Sequence, residues 1–380
     1  MCREISMIDD EQPQALNLFD VIQGDSYTET ISNILDMSQG NEVFRDLLLR
    51  GFYQNPKREI HHKGNSALDR LINAGKKFNW KCEHNSCNKP SAYSHELSER
   101  AVLSHLADNE NKAIILKRNF RNNSFEFSFD RKHIRDILNF SGYCSKHDQS
   151  LFKLLDQPGR EIDLEYVNLQ ALKMMRRHIL NYEIYLKLYR DMASEIHSLI
   201  SEDIEVEQDI TSLQECFDDT QQKIKDMEDL SKSSRAFYYN LWNGIQSGDY
   251  VVDYAKLPCY KLGWVFSQTI EVIAEGSHEC AFSFIFKMDI NGQPLLIHAW
   301  DKKTLTSKHE EFHISSDEII KQMLLNKEKL AFSLGFLKSI EEMYLELLFM
   351  DEEIYNNIEN PIFRLLFKNI FFNEPEGDSA

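Results

Sequence analysis

The chain has 380 residues, 42% of them hydrophobic, with 24 Phe and 15 Tyr, which is enough apolar material for two or three packed domains and argues against a disordered chain. A formal net charge of −18 argues against a protein that coats nucleic acid over its whole surface, because a phosphate polyanion is repelled at long range. No apolar run approaches the roughly 18–20 residues that span a bilayer, and the acidic N-terminus "MCREISMIDDEQPQ" lacks a signal core, so the expectation is a cytoplasmic protein with no membrane partner.

Residues 1–80 read as a helical region, since "EVFRDLLLRGFY" and "SALDRLINAGKKF" carry apolar residues at three- and four-residue spacing. Residues 81–158 hold a cluster of Cys and His. From 159 to 245 the pattern is helical, with a long run free of Pro and Gly beginning at Tyr166. Residues 246–372 switch to β-type sequence and then back to helices after Ser316. The strongest hairpin signal lies here, with "CAFSFIFKM" and "PLLIHAW" on either side of a turn at Asn291 and Gly292. The polar end, 373–380, reads as a disordered tail.

Within the helical stretch, positions Ile196, Leu199, Asp203, Val206, Ile210, Leu213, Phe217, Thr220, Ile224 and Met227 form an a/d series in which eight of ten are apolar. Between Ser201 and Ser231 stand eleven acids and two lysines, so the outer faces are strongly negative. Two readings follow: a long helix folded back on a neighbour in the same chain, or a 196–227 arm for a protein partner or self-association.

The seven cysteines fit reduced thiols and metal binding better than a disulfide framework. Cys82 and Cys87, with four residues between them, suit a tight knuckle that turns both thiolates to one ion. Cys144 and His147, in "GYCSKHDQSLF", suit a loop entering a helix whose first turn points both side chains at a metal. Together they supply three sulfurs and one imidazole, a closed tetrahedral set that matches zinc. The fourth ligand stays open at this stage: His147 is preferred, His95 in "AYSHELS" competes, and His84 lies between the knuckle cysteines.

The series Cys82, Cys87, Ser94, His95 with a short helix in "SHELSERAVLSHLAD", then Tyr143, Cys144, His147, Asp148 and Phe152, resembles a set of largely uncharacterised bacterial proteins with a treble-clef-like zinc site. That resemblance covers about residues 80–157 and implies zinc; some such proteins look associated with mobile elements and phage defence. A second likeness is to HNH nucleases, which place a catalytic His on a hairpin beside such a zinc, near a Mg²⁺-type ion. It implies His95 as a general base, although Ser94 stands where an Asp or His is usual.

Between the metal half-sites, Lys112 to Arg135 carries seven Lys/Arg against two Asp/Glu, with Phe interleaved. A nucleic-acid contact here would use Lys117, Arg118, Phe120, Arg121, Arg131, Lys132 and Arg135, cations for phosphates and Phe120 for stacking. The alternating Phe in "SFEFSFD" also fits a half-buried strand. On the long helix, Arg190 and His197 share a face, and this Arg, an acid directly after it and a later His resemble the active-site motif of HEPN-type ribonucleases. No Walker phosphate loop, dinucleotide Gly fingerprint, His-Glu-x-x-His or nucleophile elbow is present.

The expected fold is therefore α+β and mainly helical, with a treble-clef-like zinc module, a long helical or coiled-coil hairpin and a small antiparallel β-sheet. The expected function is a non-catalytic binding or scaffold protein that holds zinc and recognises a protein or nucleic-acid partner, with bacterial defence as the setting the resemblance implies. A nuclease using His95 or the Arg190/His197 pair is the alternative.

Overall fold

The structure is a computed structural model and describes residues 80–84, 87–121, 124–201, 207–273, 280–305, 316–340 and 370–372. The helices expected in 1–79, the tail at 373–380 and the side chains of Arg118, Phe120 and Arg121 lie outside the described residues. The chain divides into two compact units. Of the described residues, the smaller takes 119–121, 124, 188–201 and 207–223, and the larger takes the rest.

In the larger unit a short hairpin, β1 (Ala92–His95) with β4 (Asn139–Tyr143), leads into α1 (Ser145–Leu151). The connection between its strands carries β2 (Lys112–Arg121) and β3 (Ser124–His133). Two long helices follow, α2 (Leu164–Ser201) and α3 (Glu207–Ser247). Asp163 caps α2, its carboxylate accepting from the Tyr166 N–H at 2.8 Å. Beyond Ser247, where α3 ends, comes Gly248 at φ +78, a left-handed conformation that glycine adopts without strain. Then come β5 (Val252–Leu257), β6 (Trp264–Ile273), β7 (Cys280–Ile290), β8 (Gln293–Asp301), α4 (Lys302–Leu305), α5 (Ser316–Leu325), β9 (Ala331–Phe332) and α6 (Leu334–Ser339).

These strands form a seven-stranded antiparallel sheet in the order β3-β2-β9-β6-β7-β8-β5. The expected β7–β8 hairpin is present, with Ile290 facing Gln293 and the turn residues Asn291 and Gly292 at φ 52 and 72. On β7, Phe282, Phe284, Phe286 and Met288 join a core with α2 and α3 residues such as Met175, Phe237 and Leu241. Ile285 lies in the second core, with Trp264, Phe332 and Ile319, Ile320 and Met323 of α5. The middle strands are thus covered on both sides.

The mainly helical expectation is overturned: the architecture is α+β, organised on this seven-stranded sheet, which is not small. A strand buried on both faces reads as an unbroken apolar run rather than an alternation, so its period is weak in sequence. The two-residue β9, which bridges β2 to β6, is too short to leave a pattern.

The coiled coil is corrected too. Ile196 and Leu199 lie in α2, whereas Ile210, Leu213, Phe217, Thr220, Ile224 and Met227 lie in α3, so the series does not belong to one helix. Within the smaller unit the two run antiparallel: the His197 ring meets Phe217 at 5.7 Å, and Lys223 lies over the Tyr189 ring. The heptad count ran from one helix into the next, with no Gly or Pro in the sequence between them to separate the two. "SHELSERAVLSHLAD" likewise forms no α-helix; turns and a single 3-10 turn at Leu103–His105 follow His95.

Among the described residues no helix is long and apolar enough to cross a membrane. From Tyr166 to Arg176, α2 is buried on every side, as a helix clasped between two layers must be. Its polar residues there act as joints. Asn168 bonds both the N–H and the C=O of Val252, each at 3.0 Å, and Gln170 donates to the Glu96 carbonyl at 2.8 Å. Most buried polar groups in protein cores are paired in this way.

Candidate metal centre

The knuckle at 82–87 is closed by its own backbone. The Cys82 N–H donates to the Lys89 carbonyl and the Cys87 N–H to the His84 carbonyl, both at 3.0 Å, and Lys81 bridges to Pro90. The Glu83 N–H donates to the Gly142 carbonyl at 3.0 Å, which ties the knuckle to β4 just before Cys144. Cys144 stands at the N-cap of α1 in an extended conformation, without a side-chain capping bond, and His147 follows in the first turn.

These elements bring Cys82, Cys87, Cys144 and His147 together as a group that could hold a metal ion, with one ligand atom from each and all within 4.8 Å of one another. The Nδ1 of His147 lies 3.4 Å from the Cys82 sulfur and 3.5 Å from that of Cys144, and the Cys87 and Cys144 sulfurs are 4.0 Å apart. Of the three histidines weighed from sequence, His147 is the one in the group. His84 instead stacks its ring on that of His147, centroids 3.7 Å apart, and meets the edge of Trp242 at 5.3 Å.

Left to themselves, the thiols titrate unevenly. Burial pushes the Cys82 thiol up to about 11, whereas the backbone N–H of His147 draws the Cys144 thiol below its ordinary value. Burial, with His84 and Lys146 nearby, keeps the His147 imidazole low and hence neutral, the form that binds a metal. A bound divalent ion overrides the thiol difference, because a coordinating thiol is deprotonated outright.

His95 takes no part in the group. Its Nε2 lies 3.2 Å from the Arg135 carbonyl oxygen and its Nδ1 3.7 Å from the Glu99 carboxylate. Burial is the main cause that lowers its pKa, Glu99 opposes and Lys173 adds to the fall. Arg190 and His197 are exposed residues of α2, roughly 10.5 Å apart along the axis by their spacing, and belong to the smaller unit.

The basic segment is not one surface of unopposed charge. Arg131 donates to Asp108 at 2.8 Å and lies near Glu110, Lys132 pairs with Asp130 at 3.6 Å, and Arg135 faces Glu99 at 3.8 Å. Lys117 is half-buried on β2. The interleaved Phe129 is half-buried and packs edge-on to Phe332.

Sequence reasoning missed the side chains that grip the knuckle. Glu83 is held by Arg176 of α2 at 3.1 Å and by Arg235 of α3 at 3.0 Å, and both arginines also bond Glu183. Arg176 is 2% exposed. Gly142 makes room for it: a Cβ at 142 would lie 2.5 Å from the Phe140 ring and 3.0 Å from the Arg176 Cγ. An available signal was the run "NLQALKMMRR", in which polar residues are embedded among apolar ones on all sides of the helix.

Comparison of the chain with protein-family models, with curated proteins and with solved structures gives no match.

Proposed function

We propose that the four-residue group holds one zinc ion as a closed structural centre, in a non-catalytic binding or scaffold protein. The observation that carries this is the shape of the group. With zinc bonds of about 2.3 Å to sulfur and about 2.0–2.1 Å to nitrogen, a regular tetrahedron has S···S edges of about 3.8 Å and S···N edges of about 3.6 Å. The spacings of 4.0, 3.4 and 3.5 Å fit those edges. Three soft thiolates and an imidazole favour zinc over hard oxygen-seeking ions. When bound, the ion supplies cross-linking between knuckle and helix; four protein ligands leave no open position for water. The 196–227 segment is the proposed partner-binding segment, its acid-rich sequence suited by charge to a basic protein face.

Elemental analysis of the purified chain checks this reading, with about one zinc per chain expected. Replacement by cobalt should give the intense visible bands of a tetrahedral thiolate site. Metal-free protein of unchanged stability in chelator would sink it.

The second reading, an HNH-like nuclease, draws on one observation: His95 faces Asn139 across the β1–β4 hairpin, and both side chains reach the Arg135 carbonyl. A divalent-metal-dependent nicking assay tests it, with no cleavage expected.

A further inference from the structure

The junction of β1, α1 and α2 raises a question that the metal group does not answer. Around His95 the hairpin buries Ser94 and Glu96, and α1 brings Asp148 alongside. Ser94 Oγ, one oxygen of Glu96 and one of Asp148 are buried without a hydrogen-bond partner among the described residues. Buried oxygens of this kind call for a cation, and carboxylates on a hairpin and a helix are the usual hard ligands of a divalent one. The positive charge comes from α2 instead. Lys173, 3% exposed, places its ammonium 3.7 Å from the Asp148 oxygen and 4.7 Å from the centre of the Phe152 ring. One turn further on, Arg177 pairs with the other oxygen of Glu96.

We propose that Lys173 is the resident cation of this junction, a protein-borne substitute for a divalent ion, and that the junction is thereby closed to metal. This deepens, and rests on, the non-catalytic reading of the protein. An ammonium fixed on a buried helix face cannot leave. It is anchored by the carboxylate of Asp148 and by the Phe152 π-face, and its side chain is almost wholly buried. Its charge also acts on His95, whose neutral form is favoured by burial first and by this ammonium in addition. A histidine held neutral beside a metal-free junction has no water activated for it.

The test uses the zinc-loaded full chain. Manganese binding is followed by electron paramagnetic resonance, and melting is compared for wild type, Lys173→Met, Asp148→Asn and the double variant. Wild type should bind no manganese at millimolar concentration. Each single variant should keep its zinc and melt roughly 5–10 °C lower, and the double variant should melt no lower than the worse single one, as expected for two partners of one interaction. One manganese bound by wild type and lost in Asp148→Asn would overturn the proposal, as would strictly additive effects of the two substitutions. Should Lys173→Met fail to fold, the wild-type titration and Asp148→Asn still decide. Manganese binding without strand cleavage overturns this inference alone, whereas cleavage overturns the non-catalytic reading itself.

Discussion

Around Cys82 and Cys87 the chain has little apolar surface to bury: Lys81, Glu83, Asn88 and Lys89 surround the knuckle, and four metal-capable side chains converge instead. At β7 the reverse holds. Every residue from Ala281 to Ile290 is buried, and its phenylalanines pack against two long helices. With an ion bound, the first region would gain a few directional contacts that fail together; the second is held by many weak contacts that fail one at a time. Loss of a single ligand should therefore unmake the metal corner, whereas loss of a single core ring should weaken the sheet and leave its plan intact.

The largest effect is expected at Cys144. Structural zinc contributes apparent free energies of about 10–16 kcal/mol in small zinc modules. Cys144→Ser should lose the metal and the hydrogen-exchange protection of residues 81–95 and 139–152, while the β7 amides stay protected. The reciprocal change, Phe284→Ala, removes a fully buried ring and should cost about 3–5 kcal/mol in denaturant unfolding with the metal retained. If Cys144→Ser instead collapsed β7 protection as well, the two regions would be one cooperative unit and the contrast between them would fall.

A smaller effect is expected where the two regions meet. Arg176 and Arg235 hold the knuckle through Glu83 and each other's helices through Glu183, so they connect metal corner and helix layer. Arg176→Met keeps most of the buried stem but leaves two carboxylates with one arginine. Breaking a buried pair from one side costs about 3–5 kcal/mol, and the lower end is expected here because Arg235 remains. Zinc affinity, measured by competition with a chelator, should fall alongside stability. Unchanged affinity with lowered stability would show that the arginines serve the helices alone.

The Cys/His group was legible because ligand chemistry travels with residue type: two short polar stretches containing Cys and His point to a shared cluster whatever fold surrounds them. His147 over His95 was a matter of helix geometry, since a Cys and a His three apart in a first turn share a face. Other features were hidden for physical reasons. The β7–β8 hairpin was legible from its two apolar runs and its turn, whereas β6, with Val265 in one core and Trp264 and Phe266 in the other, is covered on both sides, so alternation gave little signal there. The acidic sequence between Ser201 and Glu207 continues the helical period, so nothing in it separates α2 from α3. Lys173, Arg176 and Glu83 depend on which distant elements α2 touches, and no local pattern carries that.

The smallest effect sharpens the contrast from the sheet side. Glu271 on β6 joins the sheet to both long helices: it lies 3.2 Å from His178, accepts from Ser234 at 3.3 Å and bonds the Tyr182 hydroxyl. Burial alone would raise its pKa, but His178, Tyr182 and Ser234 outweigh it and hold the carboxyl below its ordinary value. A carboxylate with a lowered folded pKa stabilises fully above its unfolded pKa, about 4.3, and that contribution is lost as pH falls through the folded value. His95 adds a loss that begins higher, below about 6.5, because its folded pKa is lowered and the unfolded chain takes up the proton first. Acid also protonates the metal ligands, so the informative quantity is a difference between proteins at one pH. Glu271→Gln should be less stable than wild type at pH 7, and the gap should narrow as pH drops below 4. Metal content should track wild type throughout. A gap that stays constant with pH would mean that the Glu271 carboxylate is not what ties the sheet to the helices.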